Sequence, residues 1–267
     1  MRKIYSDEHV KYLKKQRNKS VFVNFSRIAI LALILIFWQV ATSLKWIDGF
    51  LFSSPSRIAE TTKELITEGE LFKHVGTTLY ETLLGFFIST VSGLMIAVIL
   101  WWSVSAKKIA EPYLVVLNSL PKIALGPIII IWFGAGTVSI VFMTVIIGVI
   151  VTIINLLSAF CEVDENKILL LRSLGASKRQ IFIKLVMPST LPNFISTLKI
   201  NVGMSWIGSI MGEYLVSKQG IGYLIVYGGQ VFKLDLVMTS TVILCVLAGI
   251  MYFCVVLAEK LLLKHRL

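Results

Sequence analysis

Along this chain the apolar positions neither alternate nor recur at every third or fourth residue. They gather in uncharged blocks, and residues 28–44, 82–106, 123–161, 200–212 and 236–258 contain no Asp, Glu, Lys or Arg. A membrane-spanning helix needs about 20 apolar residues. The 123–161 block, with its approach from Pro112, therefore holds two spans, divided at Gly134-Ala135-Gly136. The stretch from Phe194 to Tyr214 supplies another, with Lys199 near one end. The pattern predicts six helices, near 28–44, 82–102, 113–134, 138–160, 194–214 and 236–258. The expected fold class is all-α, a polytopic membrane protein with residues 28–267 as the membrane domain behind a basic tail, 1–27. Residues 28–44 read as a retained first span, because the apolar region is long and no small-residue cleavage pattern follows Ser43.

One polar stretch between spans, 164–192, has its own helical punctuation. Asp164 and Glu165 favour a helix start, and Gly175 falls where a left-handed residue ends one. Ser177 and Gln180 have capping-box spacing, and Ile181, Phe182, Leu185 and Val186 give the second helix an apolar face. Pro188 is expected to end that helix.

The run LRSLGASKRQIFIKLVMPSTLP resembles the signature loop of bacterial ABC importer permeases, described as EAA, three residues, Gly, nine residues and I-x-L-P. Gly175 falls on the family glycine and Pro188 on the closing proline, but Leu169, Leu170 and Leu171 stand where the EAA triplet would be. The family glutamate is therefore missing, and whether Glu165, one turn earlier, takes its place is open. LPKIALGPIIIIWFGAG is similar to permeases of sulfonate, taurine and nitrate uptake, and Gly220-Ile221-Gly222-Tyr223 matches a family Gly-x-Gly-Tyr element after the fifth span. The resemblance extends over about residues 72–260. It implies a permease subunit working as a homodimer, with two copies of a separate ATP-binding subunit and an extracytoplasmic solute-binding protein. It places the ATPase-docking surface at Glu165, Leu169, Arg172, Ser173, Leu174, Gly175, Ala176, Ser177 and Pro188. A small anionic solute is implied, although related permeases carry thiamine precursors or flavins.

Charge gives the orientation. The net charge of +11 would suit nucleic acid if it lay on one surface, but here it is the sum of clusters flanking the spans. With a cytoplasmic N-terminus, the inside segments hold 19 of the 26 Lys and Arg and the outside segments 6. This is the positive-inside asymmetry, and it places 164–192 and both termini in the cytoplasm of a cell-membrane protein. The basic tail suits contact with anionic membrane lipid or a solvated, disordered segment.

The third span is broken by Pro121 and Pro127 around Lys122, just after Asn118. An ionisable residue inside a span is a functional hypothesis by default. Lys122 attracts an anionic solute on one reading, and snorkels or pairs with a neighbouring span on the other. In the fifth span Asn201, Trp206 and Glu213 are further polar candidates for the translocation path, and Ser205, Ser209 and Gly212 form a small-residue face for close helix contact. Taken singly, Asn201, Trp206 and Glu213 are better explained by packing. On the outer side Ser54 caps and Pro55 opens an interfacial helix with Ile58, Leu65 and Ile66 as its apolar stripe.

No catalytic set, cofactor site or metal site is expected. His9, His74 and His265 are scattered, Cys161, Cys245 and Cys254 lack ligand spacing and read as buried apolar fillers, and no phosphate-binding G-x-x-x-x-G-K-[ST] loop exists. The chain is expected to be a transport subunit, with ATP hydrolysis on another chain. An ion-coupled secondary transporter is the alternative, disfavoured by the scarcity of buried carboxylates. The other alternative is the transmembrane coupling subunit of a vitamin transporter, distinguished by a membrane-embedded solute binder. The topology predicts that reporter fusions after Lys178 and Lys264 score cytoplasmic and a fusion near Glu68 external. A cytoplasmic signal near Glu68 would contradict six spans.

Overall fold

The computed structural model describes residues 7–263, which contain helices and no strand. In order they are α1 (Asp7–Ser43), α2 (Gly49–Phe52), α3 (Pro55–Thr67), α4 (Glu70–Trp102), α5 (Val104–Ser119), α6 (Gly126–Phe133), α7 (Thr137–Cys161), α8 (Glu165–Ser173), α9 (Lys178–Ile181), α10 (Met187–Ser189), α11 (Leu191–Val216), α12 (Ile221–Gln230) and α13 (Leu234–Leu263). A 3₁₀ turn, Lys122–Leu125, joins α5 to α6, and a π-helical stretch, Phe182–Val186, joins α9 to α10. Four segments are long and apolar enough to cross a membrane: Val21–Ser43, Glu70–Trp102, Thr137–Cys161 and Leu234–Leu261. The count reaches six when the bent pairs Val104–Ser119 with Lys122–Phe133, and Lys178–Ser189 with Leu191–Val216, are each one span.

Burial ranks these spans by position. The most apolar window of α7 is 61% buried and that of α4 39%, against 6% for α13 and none for the first span. So α7 is the central helix, with α4 and α11 packed on it and α1 and α13 outside. Lipid is as apolar as leucine, so these contacts depend on close packing and hydrogen bonds. Small residues allow the approach: a Cβ on Gly93 would lie 2.5 Å from the Thr152 Cβ, and one on Gly208 2.5 Å from the Thr144 Cα. The expected Ser205, Ser209 and Gly212 face is fully buried, and a Cβ on Gly212 would lie 2.9 Å from the Ile140 Cα. Between helices, the Thr82 and Ser209 hydroxyls are 2.6 Å apart, and the Asn201 side-chain amide donates to Thr90 Oγ1 (3.1 Å) and Thr152 Oγ1 (2.7 Å).

Several expectations need correction. The helix carrying the first span begins at Asp7, so the basic tail is helical from there and not an irregular segment. The first residues of that tail, Lys264 and His265 lie outside the described residues. The third span is broken at Pro121, where the sequence places the interruption, but it begins earlier than 113. Its first arm already starts at Val104, tolerates Pro112 inside, and meets the second arm at 87°. Pro188 does not end its helix: it occupies the first turn of α10, where its missing N–H is not needed, and the π-helical stretch before it absorbs the change of pairing. The chain instead turns by 60° between Ser189 and Leu191. The cysteines are exposed, not buried: Cys245 and Cys254 lie on α13, which is covered on one side only, and Cys161 is the last residue of α7. Of the outer helix stripe, Ile58 and Leu65 are buried while Ile66 is 46% exposed. Ser54 caps α3 as expected, and Arg57 ties it to Asp235 at the start of α13 at 2.6 Å.

Gly208→Val places a branched side chain against the α7 backbone and is expected to cost about 1–3 kcal/mol. Gly249→Val, at a site with nothing within 4 Å, serves as the control. Thermal unfolding of both purified variants checks this, and equal melting of the two would refute the close-contact account.

Candidate functional site

Three polar features stand apart from the apolar bundle: the 164–192 hairpin, the break between α5 and α6, and a hydrogen-bonded knot at the end of the bundle where α12 begins.

The hairpin folds from local rules. Asp164 accepts from the Asn166 N–H and opens α8. At the other end Gly175 adopts φ 81°, its N–H donates to the Arg172 carbonyl, and the Ala176 N–H donates to the Leu171 carbonyl, each at 2.9 Å. That pair of bonds is a Schellman ending, which the left-handed glycine makes accessible. Ser177 and Gln180 then form both halves of a capping box. The second helix is seated firmly. Phe182 packs against Trp101, Trp102 and Phe160 at centroid distances of 4.8, 5.8 and 5.6 Å. Lys178 lies over the Trp101 ring at 5.3 Å and donates to the Trp102 carbonyl at 2.6 Å. By contrast α8 rests on the core only through half-buried Ile168 and Leu171, and leaves Leu169, Leu170 and Leu174 64%, 59% and 73% exposed. Glu165, Arg172, Ser173 and Ser177 are exposed beside them, and Ala176 and Pro188 are half-buried at the seat. An exposed apolar helix on a rigid base is suited to a protein partner.

At the α5–α6 break, the Leu120 N–H closes α5 on Val116, and the turn resumes with the Ala124 N–H donating to Pro121. The Lys122 ammonium reaches the Asn118 carbonyl at 3.1 Å, replacing the backbone donor that the break removes. Asn118, Pro121 and Pro127 are exposed around it, as are Ile131 (80%) and Trp132 (68%). The fifth-span candidates are elsewhere. Asn201 is fully buried in the node with Thr90 and Thr152, and Trp206 in an apolar cluster with Phe86, Ile210 and Met251. Glu213 is 1% exposed at the far end of α11. So the structure brings Asn118, Pro121, Lys122 and Pro127 together at the break, while Asn201, Trp206 and Glu213 are buried on α11, whose last turns meet α6 where Leu215 lies against Gly126.

The knot at the start of α12 holds residues that the sequence reading passed over. Three successive backbone N–H groups are each taken by a side chain: Gly220 donates to His74 Nδ1 (2.9 Å), Ile221 to Thr78 Oγ1 (2.7 Å) and Gly222 to Glu213 Oε2 (2.6 Å). Glu81, also 1% exposed, accepts from the Thr137 hydroxyl at 2.8 Å. The Gly-x-Gly spacing now has a cause. Gly220 sits at φ 114° with the Glu213 carboxylate against it, and a Cβ on Gly222 would lie 2.8 Å from Glu213 Oε2. The available sequence signal was the i, i+4, i+7 spacing of His74, Thr78 and Glu81 on one helix face, which is informative only once a partner is known.

Comparison with known proteins agrees with this architecture. Residues 72–265 match the family model described as "binding-protein-dependent transport system inner membrane component". The chain is 30% identical over 235 residues to the putative aliphatic sulfonates transport permease protein SsuC of Bacillus subtilis, covering 88% of this chain and 85% of that protein. It is 31% identical over 191 residues to the formylaminopyrimidine transport permease protein ThiX of Halalkalibacterium halodurans, covering 72% and 76%. Its fold is like that of a chain of the MetNI methionine ABC transporter in an inward-facing conformation, with a TM-score of 0.60 and 21% identity over 68% of this chain and 91% of that one.

Gly175→Val forces a branched residue into the left-handed region at a site with no steric neighbour, so the cost of about 1–2 kcal/mol is purely conformational. Amide hydrogen exchange over 165–190 should accelerate in this variant while α7 stays protected. Unchanged exchange in the hairpin would contradict the role given to Gly175.

Proposed function

Since this chain belongs to the binding-protein-dependent transport system inner membrane component family, we propose that two identical copies of it enclose the translocation path of an importer for a small anionic solute of the sulfonate, taurine or nitrate type. The chain is the membrane-spanning permease subunit of an ATP-driven importer, a transport component and not an enzyme, and the family implies an ATP-binding subunit and a binding protein as partners.

The observation that carries the path is the α5–α6 break. Backbone groups freed within the membrane are tolerated only against protein or a watered cavity, and here they lie on the outer surface of the single chain with Lys122 among them. A second copy packed along the exposed Ile131 and Trp132 face would enclose them, with Asn118, Pro121, Lys122 and Pro127 lining the gap. Asn201, Trp206 and Glu213 then belong to the wall behind the path. Lys122 uses one donor on Asn118 and keeps two for an anion. The sulfonate named for the Bacillus subtilis relative fits that chemistry.

On the cytoplasmic side the same reading gives α8 to the ATP-binding subunit, docking through Leu169, Leu170 and Leu174 with Arg172, Ser173 and Glu165 at the rim. Closure of the ATPases would push α8, and the Lys178–Trp102 contact would pass the displacement to α4. Both termini face the cytoplasm in this arrangement, and the long first helix contacts lipid.

Lys122→Met keeps the apolar stem and removes the charge. Initial uptake of an alkanesulfonate into cells, normalised to membrane-inserted protein, should fall about tenfold, the scale of one lost charge-assisted hydrogen bond. Unchanged normalised uptake would remove Lys122 from the path, and uptake that persists without the binding protein would overturn the importer reading.

A further inference from the structure

Glu81 and Glu213 are the most deeply buried charged side chains of the bundle, and neither belongs to the hairpin or the broken span. Each carboxyl has one oxygen engaged, Glu81 Oε1 with the Thr137 hydroxyl and Glu213 Oε2 with the Gly222 N–H. The other oxygens, Glu81 Oε2 and Glu213 Oε1, are buried without a donor, and the contacts around them bring the two residues into one region: Thr82 meets Ser209 across α4 and α11, and Thr78 and Glu213 hold successive amides of α12. Carboxylate oxygens only accept hydrogen bonds. Two buried acceptors with no donor, and no Lys or Arg paired to either among the described residues, make two uncompensated negative charges in one buried region.

We propose that Glu81 and Glu213 share one proton, bound between Glu81 Oε2 and Glu213 Oε1, and that this proton is the positioning element that keeps the start of α12 fastened to α4, α7 and α11. A single proton satisfies both orphaned oxygens and leaves one negative charge, which the Gly222 N–H and the Thr137 hydroxyl solvate. Thr78 accepts from the adjacent Ile221 N–H, so α4 and α11 each hold an amide at the start of α12. When the proton leaves, two anions are buried in one region without a counter-charge, and the contact that yields is the one to α12. The consequence is a clamp that opens on the alkaline side.

The neighbouring titratable groups act differently. His74, on α4, accepts the Gly220 N–H through Nδ1, so its protonation would release that amide in acid. Tyr223 on α12 stacks on His74 at 5.9 Å, Tyr214 follows Glu213 on α11, α7 presents only the Thr137 hydroxyl, and Asp235 on α13 is engaged by Arg57. An amide in place of one carboxyl separates the shared proton from all of these. Glu81→Gln can donate N–H to Glu213 Oε1 and accept from Thr137, and so reproduces the protonated pair permanently. Glu213→Gln does the same in mirror image.

The test uses the full-length chain in lipid nanodiscs, with thermal unfolding followed from mildly acidic to strongly alkaline pH in sodium and in choline chloride. The wild type should lose stability as pH rises, both Gln variants should stay flat over the same range, and Glu81→Ala should be less stable at every pH. In the complete importer, the ratio of Gln-variant to wild-type binding-protein-stimulated ATPase should rise several-fold toward alkaline pH, a ratio from which the ATPase's own profile cancels. The unfolding measurement does not depend on the importer reading, so failure of the two can be told apart. A flat wild type, the same alkaline loss in both Gln variants, or Gln variants as unstable as Glu81→Ala would each overturn the shared proton. Stabilisation of the wild type by sodium over choline would overturn it in favour of a bound cation.

Discussion

How closely α7 is held between α4 and α11 governs the rest of the molecule. In a bilayer no hydrophobic gain distinguishes helix from lipid, so the contact must come from shape and hydrogen bonds. Gly85 and Gly93 on α4, and Gly208 and Gly212 on α11, remove the side chains that would keep α7 away, while Thr144 and Thr152 on α7 fill the space left. Each interhelical hydrogen bond contributes only about 0.6 kcal/mol in such a setting, so backbone proximity has to do most of the stabilising.

That proximity fixes three polar levels along one block of helices. The Asn201 node with Thr90 and Thr152 and the Thr82–Ser209 pair lock the middle, and the Glu81–Glu213 knot secures α12 at one end. At the other end the aromatic seat of Phe182, Trp101 and Phe160 holds the hairpin. The block is rigid because its polar groups have few alternative partners in an apolar interior. Around it, α1 and the α5–α6 pair are lightly attached, and α13, held by the Arg57–Asp235 and Lys199–Glu259 pairs, keeps one side open, which leaves all three able to meet lipid or a second chain.

On the proposed reading the rigid block and the light elements divide the work. A push on α8 reaches α4 through the short Lys178–Trp102 contact, and α4 carries His74, Thr78 and Glu81 at its opposite end. One helix therefore links the cytoplasmic hairpin to the clamp on α12. The broken span faces the other way, where a helical interruption would be intolerable in lipid and useful beside a watered path.

Much of this protein was legible in the chain because the relevant signals are local. Uncharged runs gave the membrane helices, Gly175 and the Ser177–Gln180 pair gave the hairpin, and Ser54-Pro55 gave the outer helix, since each depends on residues within one or two turns. What the chain alone left undecided depends on partners far away in sequence. The partner of Glu213 is the Gly222 amide on the following helix, and that of the Ile221 amide is Thr78 on α4, 143 residues earlier, contacts that no local pattern announces. Pro188 was a helix terminator by local rule, but the preceding π-helical stretch carries the helix through it to Ser189, where the chain turns by 60°. The cysteines of α13 read as buried because every span is apolar on all sides, and hydropathy does not distinguish a helix face that meets protein from one that meets lipid. Composition fixed which segments enter the membrane; only tertiary packing decided which of their faces meet, because in that solvent small side chains and buried hydrogen bonds, not hydrophobicity, select the neighbours.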